Sequence, residues 1–595
     1  MIHRKRTVFK DGTVKTYIRV VEGYRPGPGL PPKQRTLKSF GYLEDQPDQA
    51  AFMREVAAYD ADPANRESTS AQKMYSGDNR RLNYGYKFLD ALYERLGIAS
   101  FIGRYERETG FRGEYSIDEI FRFLVIQRIL GPDSKRASVR RQDAFYGRDI
   151  RIELPDVYRA LDHMAAFELT LQKHLDKRVS SMIGRDLEYA FYDVTNYFFE
   201  IDLPDAPGEL RRRGVSKEHR VDPIVQMGLF MDGRGLPVSM SLFPGNTSDT
   251  RTLQPVMQEI KKSYALERLI VVADKGLNSA ANLDFICRQG DGYVVSQALR
   301  GTKGRRYRAA MLEEAGYVWN ADKTRKTKLY TEEYVGLDKE GNKEARKRQV
   351  LIYWDQADAD MARARREEKL VMAQRACENG AYGIKKGSQE YVLEEIVHPQ
   401  TGEVEKAGKH IVRSVNTKKA EQDAEDDGYF CILTSELDFD AGMIRGAYGG
   451  LWRIEESFRI LKSDLLARPV FVSSQAHIRA HFLICFVALL MVRLIQHAMG
   501  EQAISVGRIA RALNAATLRV KRGGYVELDD VGGCLAFVKR KGREGKLVDT
   551  LMFSEKDEVA QDYALIQQAF GTAFYESRAK QESFTRFLKG IQLRL

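Results

Sequence analysis

The sequence predicts a multidomain α/β protein, and three observations lead to this prediction. The chain has 595 residues, which is too long for one hydrophobic core and corresponds to roughly three to five domains. Strand-like segments surround a helix between residues 186 and 300, as in an α/β layer. A densely charged stretch then precedes another strand of buried type at 429–437, so this stretch is predicted to be an insertion.

Residues 1–75 are predicted to form a small β-containing module. The alternating segments TYIRVVEGY and RTLKSFGYL are typical of strands, and the turn-rich RPGPGLPP separates them.

Residues 76–185 have helical periodicity and are predicted to form a helical DNA-binding region. Ser116 and Glu119 make a capping box before the apolar segment FRFLVIQRIL, and the Gly-Pro pair at 131–132 ends that helix. The next helix, SKRASVRRQ, carries the cations Lys135, Arg136, Arg140 and Arg141. Two helices joined by a tight turn, the second one basic, fit recognition of DNA, and a solvated helical bundle fits equally well.

Residues 186–300 and 428–499 are predicted to be the two parts of one α/β core. The first part has the strand segments LEYAFYDVTNYFFE, PIVQMGLFMD and LPVSMSLFPGN, a helix at TLQPVMQEIKKSYA and a strand in LERLIVVADKG. The second part opens with YFCILTSEL and continues with helices at 443–465 and 475–497. Between them the insertion domain spans 301–427, and an α-rich region is predicted at 500–595.

Composition limits the classes of function. A net charge of +11 and a pI near 9.1 suit a polyanionic partner without requiring one. The basic amino terminus has no apolar segment after it, and the longest apolar run, 482–492, is about half of what a bilayer needs. We therefore expect a cytoplasmic protein with no membrane partner. The cysteines lie far apart and are expected to be free thiols: Cys287, Cys377, Cys431, Cys485 and Cys534.

Three acidic positions stand out in the predicted core. Asp193 interrupts an otherwise apolar strand, where an isolated carboxylate is costly to bury and needs a partner or a metal. Asp274 ends the strand LIVVA, just before Lys275. The third position lies on the helix YGGLWRIEESFRILKSDL, where Glu455 and Glu456 compete for the role.

Helical spacing favours the first of these glutamates. The apolar positions that face the core follow steps of three and four: Leu451, Ile454, Phe458, Leu461 and Leu465. A second stripe with the same steps lies beside it: Tyr448, Trp452, Glu455, Arg459 and Lys462. Glu456 belongs to neither stripe.

Asp193, Asp274 and Glu455 are therefore predicted to hold two Mg²⁺ ions, with Mn²⁺ as a substitute, because such ions prefer oxygen ligands and accept phosphate oxygens. Purely structural roles are the alternative to a metal site: Asp274 would belong to a turn that ends a strand, and Glu455 would form a surface i,i+4 pair with Arg459. The combination of three positions favours the metal site.

These segments resemble the DDE transposases of bacterial insertion sequences, in particular the group with the signature Tyr-x2-Arg-x3-Glu-x6-Lys. Tyr448, Glu455 and Lys462 occupy three of the four signature positions, and YDVTN, PGNTSDTRTL and ADKG are also similar to family members. The signature arginine is replaced by Leu451, which leaves Arg453 or Arg459 to contact a DNA phosphate.

The resemblance implies an RNase H-like core with a large insertion domain. It also implies a homodimer in a synaptic complex that hydrolyses DNA at two inverted-repeat ends and joins the freed 3′-hydroxyls to target DNA. Lys462 and Arg459 would then neutralise phosphates, and Tyr448 would bind a phosphate or stack on a base. His477 and His481 lack a third metal ligand and are assigned to phosphate contacts or packing.

Two other functions remain open at the level of sequence. The same metal site fits an RNase H-like nuclease or resolvase, and a transposase-derived protein that binds DNA without catalysis is a second alternative. The long insertion domain argues against the first, and the presence of all three carboxylates argues against the second.

Overall fold

The computed structural model describes residues 2–595 with gaps at 10, 25–32, 62–79, 149–150, 202, 217–220, 265–267, 303, 339, 380–388, 398–403, 406–410, 522, 530–535, 542–546 and 553–557. The chain divides into two compact units. The first consists of residues 1–91, 141–150 and 507–594, and the second of residues 92–140 and 151–506, together with residue 595.

The amino-terminal module is a three-stranded antiparallel sheet followed by a helix. Its elements are β1 (Ile2–Val8), β2 (Val14–Tyr24), β3 (Lys33–Tyr42) and α1 (Gln49–Ala61). Ile18 and Val20 of β2 pack with Phe52 and Val56 of α1 in a small core. Both predicted strand segments are confirmed, and the turn-rich segment 25–32 lies outside the described residues.

A helical stretch follows, as the periodicity predicts. Its elements are β4 (Leu82–Asn83), α2 (Tyr86–Arg95), α3 (Ile98–Thr109), α4 (Ile117–Leu130), α5 (Lys135–Arg140), α6 (Leu154–Ala166) and α7 (Glu168–Ile183). The backbone N–H of Glu119 donates to Ser116 Oγ at 3.2 Å, so the predicted cap starts α4, which ends just before Gly131.

The second unit contains the central sheet. Its first elements are β5 (Tyr189–Phe198), β6 (Ile224–Asp232), β7 (Pro237–Pro244), α8 (Leu253–Tyr264), β8 (Ile270–Ala273), α9 (Ala280–Arg288) and β9 (Gly292–Gln297). The strands lie in the order β7-β6-β5-β8-β9; the first three pair antiparallel and the last three pair parallel. All residues of β6 are buried, which explains why its sequence is mainly apolar apart from Gln226 and the terminal Asp232.

The predicted insertion is divided between the central sheet and a separate three-stranded sheet. Its elements are α10 (Arg305–Leu312), β10 (Val318–Trp319), β11 (Arg325–Leu337), β12 (Lys343–Asp355), α11 (Gln356–Asn379), β13 (Val392–Val397), β14 (Val404–Glu405), β15 (Ile411–Val415) and α12 (Thr417–Ala424). Strands β10, β11 and β12 continue the central sheet beyond β9 through β16 (Tyr429–Thr434) and make it nine-stranded. Val350 and Ile352 of β12 belong to the main core, so this part is no separate domain.

The long helix predicted at 443–465 is interrupted in the structure. It consists of α13 (Ala441–Gly449), α14 (Trp452–Arg459) and a π-helical turn at Ile460–Asp464, and α15 (Gln475–Met499) follows. Gly450 and Leu451 keep nearly helical angles, so the direction of the chain is preserved across the break. The segment Gln475–Gln502 is apolar and long enough to span a membrane, but 89% of its most apolar window is buried inside the protein, as in a core helix.

The carboxyl-terminal region mixes helices and strands. Its elements are α16 (Val506–Ala515), β17 (Thr517–Lys521), β18 (Tyr525–Leu528), β19 (Ala536–Lys541), β20 (Leu547–Met552), α17 (Glu558–Ala569), β21 (Arg578–Lys580) and α18 (Gln581–Gly590). A sheet in the order β21-β18-β17-β4 joins this region to residues 82–83 within the first unit. The structure thus differs from the predicted α-rich region, because strands of three to six residues are too short to show a clear period.

The structure also answers the cysteine prediction. Four thiols are free, those of Cys287, Cys377, Cys431 and Cys485, and Cys534 lies outside the described residues.

Candidate active site

Asp193, in the middle of β5, and Asp274, directly after β8, lie side by side on two adjacent parallel strands. Strand β5 pairs with β8 in the register Ala190 to Val271 and Phe191 to Val272. Two more residues along each strand place Asp193 opposite Asp274. Neighbouring strands run about 4.7–4.9 Å apart, so the fold brings together two carboxylates that are 81 positions apart in the sequence.

Asp193 is less buried than we expected. Its neighbours Tyr192 and Val194 are buried, whereas Asp193 itself is half-buried. Successive side chains of a strand point to opposite faces, so Asp193 lies on the other face from these two, at a point where that face is open. The apolar residues around Asp193 therefore indicate that its neighbours are buried, but Asp193 itself is buried only in part.

Two hydroxyl groups hold the carboxylate of Asp274. Ser296 Oγ at the end of β9 donates to Asp274 Oδ1 at 2.7 Å, and Tyr448 OH donates to the same oxygen at 3.2 Å. Burial raises the pKa of Tyr448, so its hydroxyl stays protonated and remains a donor. Among the described residues nothing donates to Oδ2 of Asp274, which leaves one oxygen of this fixed carboxylate for a ligand.

The helical segment α13–α14 crosses β5 and is attached to it at two points. An added Cβ on Gly450 would lie 2.2 Å from the ring of Phe191, so only glycine allows this approach. Further along, Lys462 Nζ donates to Thr195 Oγ1 at 2.7 Å. Phe191, Asp193 and Thr195 share one face of β5, so the two attachments lie on either side of Asp193.

Glu455 lies on this segment between the two attachments. It is seven residues after Tyr448 and seven before Lys462, and seven residues are about two helical turns, so all three point to one side. Across the described part of the chain, no three His, Cys, Asp or Glu side chains stand close enough together to hold a metal ion. The structure thus pairs Asp193 with Asp274 and leaves Glu455 apart from them on the opposing helix.

The two neighbouring glutamates have different surroundings. Glu456 forms an ion pair with Arg493 at 2.9 Å and a longer one with Arg459 at 3.5 Å. Arg493 is mostly buried, and this burial lowers its pKa in spite of the nearby carboxylate. Glu455 is exposed and has no ion pair among the described residues. The surface pair that we considered between Glu455 and Arg459 is replaced by the pair with Glu456.

The apolar stripe of this segment is confirmed, since every one of its members is buried: Leu451, Ile454, Phe458, Leu461 and Leu465. The polar stripe faces outward, with Trp452, Glu455 and Arg459 exposed and Lys462 half-buried. Arg453 lies off this stripe against Gly235, where an added Cβ would be 2.8 Å from Arg453 Cδ.

The predicted basic helix is shorter than expected and one of its cations points inward. Helix α5 spans six residues, and Lys135 is only 5% exposed, while Arg136, Arg140 and Arg141 are exposed. Lys135 is therefore no part of the solvent-facing surface of this helix, and its contact with DNA stays a prediction. Contacts of the three arginines with DNA also stay predictions.

The two histidines of α15 also have protein partners. His481 is buried, and its Nε2 donates to the carbonyl oxygen of Ala467 at 3.1 Å. His477 lies 3.3 Å from the carboxylate of Asp162 and stacks on Tyr158. Packing thus accounts for both residues.

Sequence reasoning did not identify three features near the two aspartates. Ser296 ends β9 in the same way that Asp274 ends β8, so the rule that parallel strands present their carboxyl ends together would have found it. Asp249 comes close to Gly276, whose added Cβ would be 3.9 Å from Asp249 Oδ2. A basic groove of 1140 Å³ also begins at Lys275; its cations are Lys275, Arg300, Arg305, Arg306 and Arg348.

The donor set of this site suits a hard divalent cation. The groups described around Asp193 and Asp274 are carboxylates and hydroxyls, and no histidine or cysteine is among them. Mg²⁺ and Mn²⁺ take such oxygen donors, whereas zinc sites are built mainly from nitrogen and sulfur.

Comparisons with known proteins agree with this picture. Residues 206–491 match the family model described as the transposase DDE domain, and residues 2–71 match the amino-terminal domain of IS1634 family transposases. The first match includes Asp274 and Glu455 and begins after Asp193. A search of curated proteins finds no match.

Solved structures give weak similarities. A piggyBac transposase synaptic complex with hairpin DNA is 9% identical, with 68% of this chain and 80% of that chain covered and a TM-score of 0.26. A Mos1 transposase paired-end complex with the left transposon end is 14% identical, with 31% and 59% covered and a TM-score of 0.14. TM-scores this low support no conclusion about the fold or the function of this chain.

The two family matches define the class: the protein is a DDE transposase, an enzyme that cleaves and transfers DNA strands with divalent metal ions. The match of residues 2–71 to the amino-terminal domain of IS1634 family transposases further supports a transposase of a bacterial insertion sequence.

Proposed function

We propose that this transposase cuts its element out at the inverted-repeat ends and joins the 3′-hydroxyls to target DNA, with Asp193, Asp274 and Glu455 as its catalytic carboxylates. The observation that carries this proposal is the register of β5 and β8, which sets two carboxylates side by side beneath a helix that carries the third. The order β7-β6-β5-β8-β9 supports an RNase H-like core.

Asp193, Asp274 and Glu455 would hold two Mg²⁺ ions, or Mn²⁺ in their place. When bound, such ions activate the attacking oxygen and neutralise charge on the phosphate and the leaving oxygen. The residues of the chain have separate tasks. Tyr448 and Ser296 fix the orientation of the Asp274 carboxylate before DNA arrives. This preorganisation lowers the cost of reaching the transition state.

DNA would approach along the exposed stripe and the basic groove. Lys462 and Arg459 would neutralise phosphates near the cleaved bond, and Arg453 would do so from beside this stripe. In the groove that begins at Lys275, Arg300, Arg306 and Arg348 are paired with carboxylates, so Lys275 and Arg305 would serve as its cations for DNA. Arg136, Arg140 and Arg141 would contact the transposon end away from the site of cleavage.

The rest of the proposal follows from the class of reaction. Cutting and joining two ends in one event requires two active sites, so we propose a homodimer in a synaptic complex with double-stranded DNA of the inverted repeats and the target. We place the enzyme in the bacterial cytoplasm, in association with the nucleoid.

We propose the following division of the chain: an N-terminal module at 1–75, a helical DNA-binding region at 76–185, the core at 186–300 and 428–499, an insertion at 301–427 and a C-terminal region at 500–595. The described sheet modifies it in two places, since β11 and β12 complete the core and residues 82–83 join the C-terminal region.

Cleavage of a supercoiled plasmid that carries the element's own ends tests this proposal. Purified protein with Mg²⁺ should release the element, whereas Asp193→Asn and Asp274→Asn should not, although both should still shift end DNA in a gel. Asp438→Asn, at an exposed aspartate, is the matched control and should cut normally. Full cleavage by both site variants would refute the assignment, and cleavage without joining to target DNA would favour a nuclease or resolvase.

A further inference from the structure

A small cationic cavity lies in the second unit, apart from the carboxylates. Its volume is 290 Å³, and its polar lining comes from α4, the 132–136 segment, α15 and the chain that follows the π-helical turn. The cations that line it are Arg128, Lys135, Arg136 and Arg468, with Asp133 as the one carboxylate in the lining. The mechanism proposed above uses none of the buried members of this set.

Two of these cations form the floor and are almost fully buried. Arg128 is 6% exposed and Lys135 is 5% exposed. The guanidinium of Arg128 donates to the carbonyl oxygens of Leu465, Leu466 and Asp133, each at 3.3 Å, while its Nε is buried without a partner among the described residues. Arg128 therefore shapes the cavity and leaves positive charge inside it.

Lys135 is the more unusual group. The Nδ1 atom of His481, at 3.4 Å from Nζ, is its one hydrogen-bond partner in the described part of the chain. Because His481 Nε2 donates to Ala467, Nδ1 is the acceptor, and a neutral imidazole balances no charge. Burial, together with Lys135 and Arg128, lowers the pKa of His481 well below its usual range, so the ring stays neutral.

A buried ammonium without a counter-ion is costly. Burial, with the repulsion of Arg128, lowers the pKa of Lys135 to about 7. An anion in the cavity would remove this penalty, since it would pair with Lys135 and with the unsatisfied edge of Arg128. The pocket is thus built for a small, strongly charged oxyanion.

The rim of the cavity is apolar and open to solvent. Tyr158 is 38% exposed, Leu466 is 46% exposed and Phe471 is 69% exposed. A cationic floor beneath exposed aromatic and aliphatic side chains suits a phosphate that is attached to a sugar and a base, because each part then has a matching surface.

The position of the cavity relates it to the cleavage site. The backbone N–H of Val470 donates to the carbonyl oxygen of Phe198 at 3.2 Å, and Arg468 lies over the Phe198 ring. Phe198 follows Asp193 by five residues of β5, which is about 16 Å at the rise of a strand. On one DNA strand this length corresponds to about five phosphates.

We propose that this cavity binds one backbone phosphate of the DNA strand that enters the active site, about three to six nucleotides from the cleaved bond, with the attached sugar and base against Tyr158, Leu466 and Phe471. Free inorganic phosphate shares the same charge and is the other possible source of the anion. This proposal rests on the proposed function, because the spacing is counted from Asp193 as part of the cleavage site.

The test combines neutralised phosphates with a neutralised lysine. A series of end DNAs carries a single uncharged methylphosphonate at each position within ten nucleotides of the cleaved bond, and binding to full-length protein is measured in EDTA, so that no cleavage occurs. The proteins are the wild type, Lys135→Met, Arg468→Gln and, as a matched control at an exposed lysine of α7, Lys177→Met.

We expect one position, three to six nucleotides from the bond, at which neutralisation weakens wild-type binding roughly tenfold but leaves Lys135→Met unaffected. Lys177→Met should behave like the wild type. In Lys135→Met, the negative slope of the logarithm of the binding constant against the logarithm of the salt concentration should become less steep by about 0.9. Arg468→Gln keeps the floor intact and should show a smaller loss of the same coupling.

Two results would overturn the proposal. The first is that every methylphosphonate weakens the wild type and both pocket variants by equal factors. The second is that millimolar inorganic phosphate raises the melting temperature of the wild type but not of Lys135→Met, while no DNA position shows coupling; the cavity would then be a site for a free anion. Because the assay needs no catalysis, the two kinds of failure differ: a coupled position outside the three-to-six-nucleotide range would contradict cleavage at Asp193, whereas the absence of coupling at every position would refute phosphate binding in the cavity.

Discussion

The neighbouring glutamates Glu455 and Glu456 allow the active-site assignment to be separated from effects on stability. We expect Glu455→Gln to abolish cleavage without changing stability, and Glu456→Gln to do the reverse. The side chain of Glu456 is 26% exposed and that of its partner Arg493 is 11% exposed, with 2.9 Å between them. Glu455 is exposed and has no ion pair among the described residues.

The structure sets the size of the stability effect. Complete loss of one partner from a buried ion pair costs about 3–5 kcal/mol. Arg493 retains its donations to Ser457 Oγ and to the carbonyl oxygen of Arg453, and a glutamine can still accept one hydrogen bond. The expected cost of Glu456→Gln is therefore lower, about 1–2 kcal/mol, close to the value of one hydrogen bond to a charged group.

Two assays on the same preparations measure the two effects. Urea denaturation followed by circular dichroism gives the free energy of unfolding, and plasmid cleavage at a temperature where all variants are folded gives the rate. Glu455→Gln should reduce cleavage by about 10³-fold or more, which corresponds to about 4 kcal/mol in the transition state. If Glu456→Gln is folded yet inactive while Glu455→Gln cuts, our orientation of the helix is wrong.

Three further predictions follow from the same geometry. Tyr448→Phe removes one of two donors to Asp274 and should slow cleavage by roughly tenfold, with DNA binding unchanged in a gel shift; an equal loss of binding would instead show that Tyr448 contacts DNA. Between about pH 7 and 10.5 the folded chain binds fewer protons at Lys135 than the unfolded chain does, since burial lowers the pKa of Lys135 from 10.5 to about 7. Stability should therefore rise with pH in that range for the wild type more than for Lys135→Met, and a pH-independent difference between the two in denaturation would contradict this. Removal of divalent ions with EDTA should stop cleavage and leave end binding intact, and added Mg²⁺ should restore it; metal-independent cleavage would refute the metal site.

The parts of the site that follow a regular repeat were predictable from the sequence. The stripe from Leu451 to Leu465 has a helical period, and the structure buries each of its members. Asp193 and Asp274 were recognisable because each stands in or at the end of an apolar strand, where a charge is unexpected. What the sequence lacks is the register between β5 and β8, which sets the distance between them and which only the packed sheet defines.

Other parts depended on contacts between distant segments. The cations of the basic helix look alike in the sequence, yet Lys135 points inward because α5 is a single short helix beside α15 and His481. Strands β11 and β12 carry dense charge and were assigned to a separate domain. The apolar segment of β12 around Val350 and Ile352 nevertheless joins the main core. This is possible because neighbouring Lys and Arg side chains can place their charged ends in solvent while their methylene groups stay buried.

The signature residues Tyr448, Glu455 and Lys462 lie on one helical face and would have different roles. Tyr448 is tied to Asp274 at one end and Lys462 to Thr195 at the other, so both ends of the segment are fixed on the strands that carry the aspartates. Glu455, midway between them, has no such tie and faces the open side. A side chain without such a tie can change rotamer while its backbone stays fixed, so we propose that the Glu455 carboxylate turns toward the paired aspartates to complete the metal site. The separation of Glu455 from the paired aspartates is therefore compatible with its proposed role, and the two ties would keep the helix in register when Glu455 moves.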